Sequence, residues 1–311
     1  MKISLDFPWL DYSAIRTYYT CQRKFKFMVL DKKQNDQSFE WILRGNEFHL
    51  LFNSFFDQVD LDKVVELCKD LKVMEPPEQS ELFKYFTQVL WKTLDTDYVV
   101  KIDEGGEHLY ELNIYGFACF QVMIIVELMM TKGYVNKKML IDHWVPKERE
   151  VFIKDDEHML YGTLDSWWDN PDKTMTVLDY KTGKKPKRKF DEKLAQYVPP
   201  HMHFPSNVQG WMYLWLLSIR YNRPLKGCKF ILLYTKGNPT PVILKITKSG
   251  IDGLFRRVNL IRDHVKSGRL FEMPKPENQD FICPWCQYQS QCHDDERLMK
   301  YAKIRKEEWA E

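Results

Sequence analysis

The chain has 311 residues, 44% of them hydrophobic, enough to bury a substantial core as one large domain or two smaller ones. Lys plus Arg number 46 against 44 Asp plus Glu, so global charge does not mark a nucleic-acid binder and any basic surface must be local. The N-terminus lacks an apolar secretory run, and the most apolar stretch, 117–130, is short for a membrane span and contains Gln121 and Glu127. A soluble, cytoplasmic or nucleoid-associated protein is expected.

Ser13 is placed to cap a helix running to about residue 30. That segment mixes aromatic and basic residues, and Cys21 lies within it. A polar loop follows, then residues 41–56 show apolar positions at helical spacing, with Gly45 and His49 in a Gly-x-x-x-His pattern. A lone histidine on an apolar helix is more often structural than a ligand. Residues 57–140 read as helical without a chemical motif, broken at Pro76-Pro77 and stopped at Gly133. They form a helical insertion that shapes a cleft or contacts a partner.

Strand patterns begin near residue 149: 150–154, 158–168 and 174–180 suggest a three-stranded meander. The turn between the last two carries Asp169-Asn170-Pro171-Asp172, residue types that favour tight turns. Folding about residue 172 sets Asp165 opposite Asp179 on strands about 4.8 Å apart. Side chains alternate in face, so Asp179 and Lys181 point one way and Tyr180 the other. Two carboxylates that close repel unless a cation shares them, and hard oxygen ligands suit Mg²⁺ or Mn²⁺. The basic run at 184–189, with Lys184 and Lys185 at its head, is either a solvated loop or a phosphate contact.

Ser206 caps a helix over 207–219 that holds Gln209 and Tyr213 on one face. Two strands, 229–234 and 241–246, and a helix, 248–267, follow. The boundaries expected are 1–56 for the N-terminal helices, 57–140 for the insertion, 141–270 for the core and 271–311 for a cysteine segment with a charged tail.

Seven cysteines without a secretory signal argue against a disulfide framework. Cys283-x-x-Cys286 is followed by Cys292 after five residues. Three thiolates need a fourth ligand, with Cys21 the distant candidate and His293 the nearby alternative. Thiolates select zinc, copper(I) or an iron–sulfur cluster, and the spacing fits neither the common zinc ribbons nor the ferredoxin runs. A Cys21 ligand would staple the two ends of the chain across a long loop. Cys68, Cys119 and Cys228 sit in apolar contexts and read as core.

Taken in order, these motifs resemble the PD-(D/E)XK nuclease superfamily in its RecB-like branch, and most the members that carry an iron–sulfur cluster. Those are the CRISPR-associated RecB-like exonucleases, the AddB nuclease domain and the nuclease domain of eukaryotic helicase–nucleases. The residues that carry the resemblance are His49 in Gly-x-x-x-His, Asp165 in Gly162-Thr-Leu-Asp, Asp179-Tyr180-Lys181, Gln209-x-x-x-Tyr213, and one early plus three late cysteines. The resemblance implies an α/β fold, a mixed central sheet flanked by helices. It implies a divalent ion on His49, Asp165, Asp179 and the carbonyl of Tyr180, with Lys181 catalytic and Gln209 and Tyr213 near substrate. It implies a [4Fe–4S] cluster on Cys21, Cys283, Cys286 and Cys292, with zinc as the alternative. DNA, single-stranded and cut exonucleolytically from a 5′ end, is the substrate suggested, in recombination, repair or CRISPR-type adaptation with protein partners. The rival reading is an inactive nucleic-acid-binding or structural subunit of a larger DNA-processing complex.

Overall fold

Period-two burial organises the sheet. In β1 (Glu148–Asp155) Val151, Ile153 and Asp155 are buried and their neighbours face out. β2 (Leu160–Asp169) is buried without a break over 164–167, and β3 (Met175–Lys181) is buried but for Thr176 and Lys181, so both are covered on two faces there. The structure, a computed structural model, describes residues 7–34, 40–97, 107–170, 172–183, 189–191, 196–198, 206–269, 271, 279, 282–288 and 290–292.

A short antiparallel pair that the sequence reading did not expect, β4 (Lys189–Asp191) and β5 (Gln196–Val198), follows β3. β6 (Lys229–Tyr234) and β7 (Thr240–Lys245) complete a five-stranded sheet of order β1-β2-β3-β6-β7. β2 runs antiparallel to β3, β3 parallel to β6, and β6 antiparallel to β7, so the sheet is mixed. The parallel step needs a crossover, and the helix Ser206–Tyr221 lies within that connection.

The helices in chain order are α1 (Tyr12–Thr20), α2 (Gln22–Phe25), α3 (Glu40–Gln58), α4 (Leu61–Leu67), α5 (Glu81–Asp97), α6 (Glu107–Lys132), α7 (Lys137–His143), α8 (Ser206–Tyr221) and α9 (Lys248–Ser267). The first differs from expectation. Asp11, not Ser13, caps α1, its carboxylate accepting from the Ala14 N–H at 2.6 Å. Cys21 then leaves helical geometry at φ −157°, and its thiol accepts from the Lys24 N–H to start α2. A residue that reads as mid-helix is therefore a break, and its thiol caps the second of the two helices.

The described residues fall into two units. One is drawn from Met1–Leu43, Lys154–Tyr161 and Ile251–Glu311. Within it Leu10 bridges Leu160, the Tyr18 hydroxyl meets His264 Nδ1 at 2.6 Å, and the rings of Phe25 and Phe271 stack. The other is drawn from Arg44–Ile153 and Gly162–Gly250. Its core joins the helices α3 to α7 to the sheet residues Leu178, Tyr180 and Leu233. Phe52 stacks on Phe117 at 4.2 Å, and Phe86 on Trp144 at 5.5 Å.

α6 reaches 26 residues, longer than its apolar run suggested, and is long and apolar enough by composition to cross a membrane. Half of its apolar window is buried within the protein. Its buried Gln121 accepts from Trp144 Nε1 at 2.9 Å, as a polar group in a core must. Gly116 on the same helix lies so close to β6's exit that a Cβ there would stand 1.9 Å from the Thr235 carbonyl oxygen. Thr235 Oγ1 donates to Asn113 Oδ1 at 2.6 Å, and its N–H donates to the Lys181 carbonyl at 3.0 Å.

Candidate active site

The β2–β3 hairpin sets the site. Its register ends with Ser166 opposite Leu178, the residues next to Asp165 and Asp179, and the charge of Asp165 reaches the Asp179 carboxyl. The turn is held by Asn170, whose N–H donates to the Thr174 carbonyl and whose Nδ2 donates to Thr174 and Thr176. Both aspartates are buried, at 6% and 3% exposure. As alternation predicts, Lys181 shares a face with Asp179, its Nζ 2.5 Å from Asp179 Oδ2. Tyr180 turns the other way, fully buried against Phe52 and Phe117.

Each carboxylate has fixed partners. Asp165 Oδ2 accepts from the Tyr180 N–H at 2.7 Å, and Asp165 Oδ1 lies 3.1 Å from His49 Nδ1. Asp179 Oδ1 accepts from Gln209 Nε2 at 2.6 Å. α3 thus delivers His49, α8 delivers Gln209, and the hairpin delivers the acids and the lysine.

Burial raises the Asp179 carboxyl to about 6, with the Lys181 ammonium pulling it down and Asp165 pushing it up. For His49, burial opposes protonation, yet the charge and hydrogen bond of Asp165 outweigh it and raise the imidazole. The charge of Asp179 reaches His49 as well, so the motif residues act on one another.

One candidate ligand was missed. Ligand atoms of His49, Glu150 and Asp165 all lie within 4.8 Å of one another, close enough to share one ion. This tight set takes Glu150 where the sequence reading had Asp179. Glu150 Oε1 accepts from Asn53 Nδ2 at 2.6 Å, and Glu150 sits at φ 48°, which turns it off the regular strand path. In sequence it is one acid in the charged strand start Glu-Arg-Glu. Only its place just upstream of the Gly-x-x-Asp strand could have flagged it.

Gln209 and Tyr213 share α8 but diverge in what they touch. Gln209 orients Asp179; the ring of Tyr213 packs on Gly162 of β2 and stands edge-on to Phe230 at 6.0 Å. Lys184 and Lys185 lie outside the described residues, as does His293.

The cysteines of the motif gather in the first unit. The Cys21 thiol is raised by burial, and the charge of Cys286 adds to the rise. Cys292 is pushed up to about 11 by burial, with Cys286 and Cys21 contributing. Cys283 is buried. A tetrahedral zinc with Zn–S near 2.3 Å holds its sulfurs roughly 3.8 Å apart. Among the described residues no three cysteines approach one another within 4.8 Å. Cys68, Cys119 and Cys228 are buried, as expected of core thiols.

The carboxylate oxygens and one imidazole beside a lysine could hold a metal ion, and such hard donors suit a divalent cation. The chain belongs to the PD-(D/E)XK nuclease superfamily, whose family model matches residues 10–293. Among solved structures it is similar to a protein from Eubacterium rectale provisionally described as an exonuclease: 12% identical, TM-score 0.43, covering 86% of this chain and 84% of that one. It is also similar to SSO0001, 16% identical, TM-score 0.29, covering 70% of this chain and 98% of that one. Neither likeness bears on chemistry at those scores. No curated protein matches the sequence.

Proposed function

We propose that the protein is a metal-dependent deoxyribonuclease that hydrolyses phosphodiester bonds of single-stranded DNA from a 5′ end. The observation that carries the reading is the convergence of Asp165, Asp179 and Lys181 on one face of the hairpin, with His49 and Glu150 facing Asp165. A divalent cation bound there polarises the scissile phosphate and acidifies water. His49, Glu150, Asp165, Asp179 and the Tyr180 carbonyl are the groups available to hold it.

The chain's own residues do the rest. The Tyr180 N–H fixes one oxygen of Asp165 and leaves the other toward His49. Gln209 fixes one oxygen of Asp179, and Lys181 sits on the other. When the anionic phosphate arrives, the Lys181 ammonium is within reach of it and steadies the charge that builds there. Tyr213 keeps α8 seated on Gly162, which holds Gln209 over Asp179.

The cysteine set supports a [4Fe–4S] cluster on Cys21, Cys283, Cys286 and Cys292. Cys286 lies close enough to raise both Cys21 and Cys292, and all four cysteines belong to one unit of the fold. Recombination, repair or CRISPR-type adaptation is the setting proposed.

The deciding experiment digests end-labelled single- and double-stranded DNA with Mg²⁺ or Mn²⁺, alongside Asp179→Ala and Lys181→Ala. Metal-dependent loss of label from single strands, absent in both folded variants, is expected. Wild-type activity in either variant would sink the assignment.

A further inference from the structure

Three residues on α3, His49, Asn53 and Asp57, stand four apart and so form one stripe along the helix. Each has a partner on the sheet. His49 Nδ1 is 3.1 Å from Asp165 Oδ1, and Asn53 Nδ2 donates to Glu150 Oε1 at 2.6 Å. Asp57 takes the Arg149 guanidinium in a fork, at 2.5 and 3.0 Å. Arg149 also donates to the Asn53 carbonyl oxygen and lies over the Phe56 ring at 5.9 Å.

Consecutive residues of a regular strand face opposite ways. Arg149 and Glu150 are consecutive, yet both reach the same helix. The φ of 48° at Glu150 makes this possible, in a region that L side chains enter at a cost of roughly 1–2 kcal/mol. Something must hold Glu150 there. Asn53 is the group that touches it. Asn53 is only 7% exposed, and its Oδ1 is buried without a hydrogen-bond partner. That is a hard oxygen kept dry on the same amide that grips the Glu150 carboxylate. Glu150 itself is exposed as a residue, so the cluster opens toward water.

We propose that Asn53 is the positioning residue of the cation site: by gripping Glu150, with the Arg149–Asp57 fork securing the strand beside it, Asn53 makes Glu150 a ligand of the ion that His49 and Asp165 share. The inference rests on the metal-dependent reading above and adds the residue that organises its ligands. The ion's ligands would then be His49 of α3, Glu150 of β1 and Asp165 of β2. Asp179 then remains the partner of Lys181 and Gln209. Asn53 acts through Glu150, as an outer group that aims a ligand.

The test measures Mn²⁺ affinity of the full chain by electron paramagnetic resonance of free Mn²⁺, with stability followed by urea unfolding. Asn53→Leu is expected to weaken binding about 10- to 100-fold, the range for outer-shell partners. Glu150→Gln should weaken it at least as much. In the Glu150→Gln background, adding Asn53→Leu should change affinity little, because the group it aims is already gone. Unchanged affinity in Asn53→Leu, or an equal loss in both backgrounds, overturns the proposal. If Asn53→Leu does not fold, Asn53→Asp keeps the shape, sets like charge against Glu150 and should show the same loss. Wild-type protein that binds no Mn²⁺ and cuts no DNA would take down the nuclease reading itself. Wild-type binding that Glu150→Gln leaves intact would remove only the inference.

Discussion

The ring of Tyr213 fills the space over Gly162 that any side chain would need. A Cβ at Gly162 would lie 2.9 Å from Tyr213 Cε1 and 3.3 Å from Leu216 Cδ1. Two motifs far apart in sequence are thus one contact, glycine as socket and tyrosine as plug. The contact docks α8 on β2 just before Asp165, and so fixes Gln209 relative to the acids.

Gly162→Ala is therefore expected to cost about 1–3 kcal/mol, the range for overpacking a filled core site. In a Tyr213→Ala background the same change should cost much less. Urea unfolding of the four proteins gives the coupling; additive losses would mean that the contact is incidental.

Asp179 makes a pH prediction for the metal-free protein. Its folded carboxyl titrates near 6 because burial disfavours its charge, against 3.8 unfolded. The folded state therefore binds this proton more tightly. The cost of keeping Asp179 charged is full above about pH 6 and vanishes below 3.8. Lowering the pH from 8 to 5 should stabilise the wild type relative to Asp179→Asn by roughly 1.4 kcal/mol, about half of what the full shift carries. Unfolding in chelator across that range checks it, and a pH-independent difference would refute the burial account.

For the cysteine set, Cys286→Ala should lose iron and stability together, seen as lost visible absorbance in anaerobically purified protein and a lower Tm. Zinc in place of iron in the wild type would favour the alternative metal. A variant that keeps both iron and full stability would refute the staple.

Gly116→Ala should be among the most damaging single methyl additions in the chain. The atom it meets, at 1.9 Å, is a backbone oxygen that cannot swing aside. Loss of soluble protein or a Tm far below that of the wild type is expected. A Tm within a degree or two of the wild type would show that α6 can move away from Thr235.

Much of the site was legible because strands and hairpins write their geometry locally. The Asn170 turn and the alternation at 179–181 determine the facing of Asp165, Asp179, Tyr180 and Lys181 from residue order alone. Apolar spacing marked the long helices as well, α9 to the residue, though α6 begins well before its apolar run. Glu150 was hidden because its role depends on a positive φ and on a helix 97 residues earlier, through Asn53. The break at Cys21 was hidden too: an extended residue between two helical runs leaves no mark in composition. Gln209 was expected to orient the phosphate or the metal shell; its amide donates to Asp179, a partner that helix spacing alone does not name.

The seat of α6 on Thr235 bears on how docking to residues 57–140 can be measured. Thr235 joins Asn113 on that helix to the carbonyl of Lys181 through two hydrogen bonds, and Phe117 packs on Tyr180. These helices are a supporting wall of the sheet, not an appendage that can be trimmed. A deletion of 57–140 would strip β3 of its cover, so lost binding in that truncated protein would report collapse rather than a missing partner. Outward residues such as Met123 and Met130, exposed on the same helix, are where substitution can separate docking from folding.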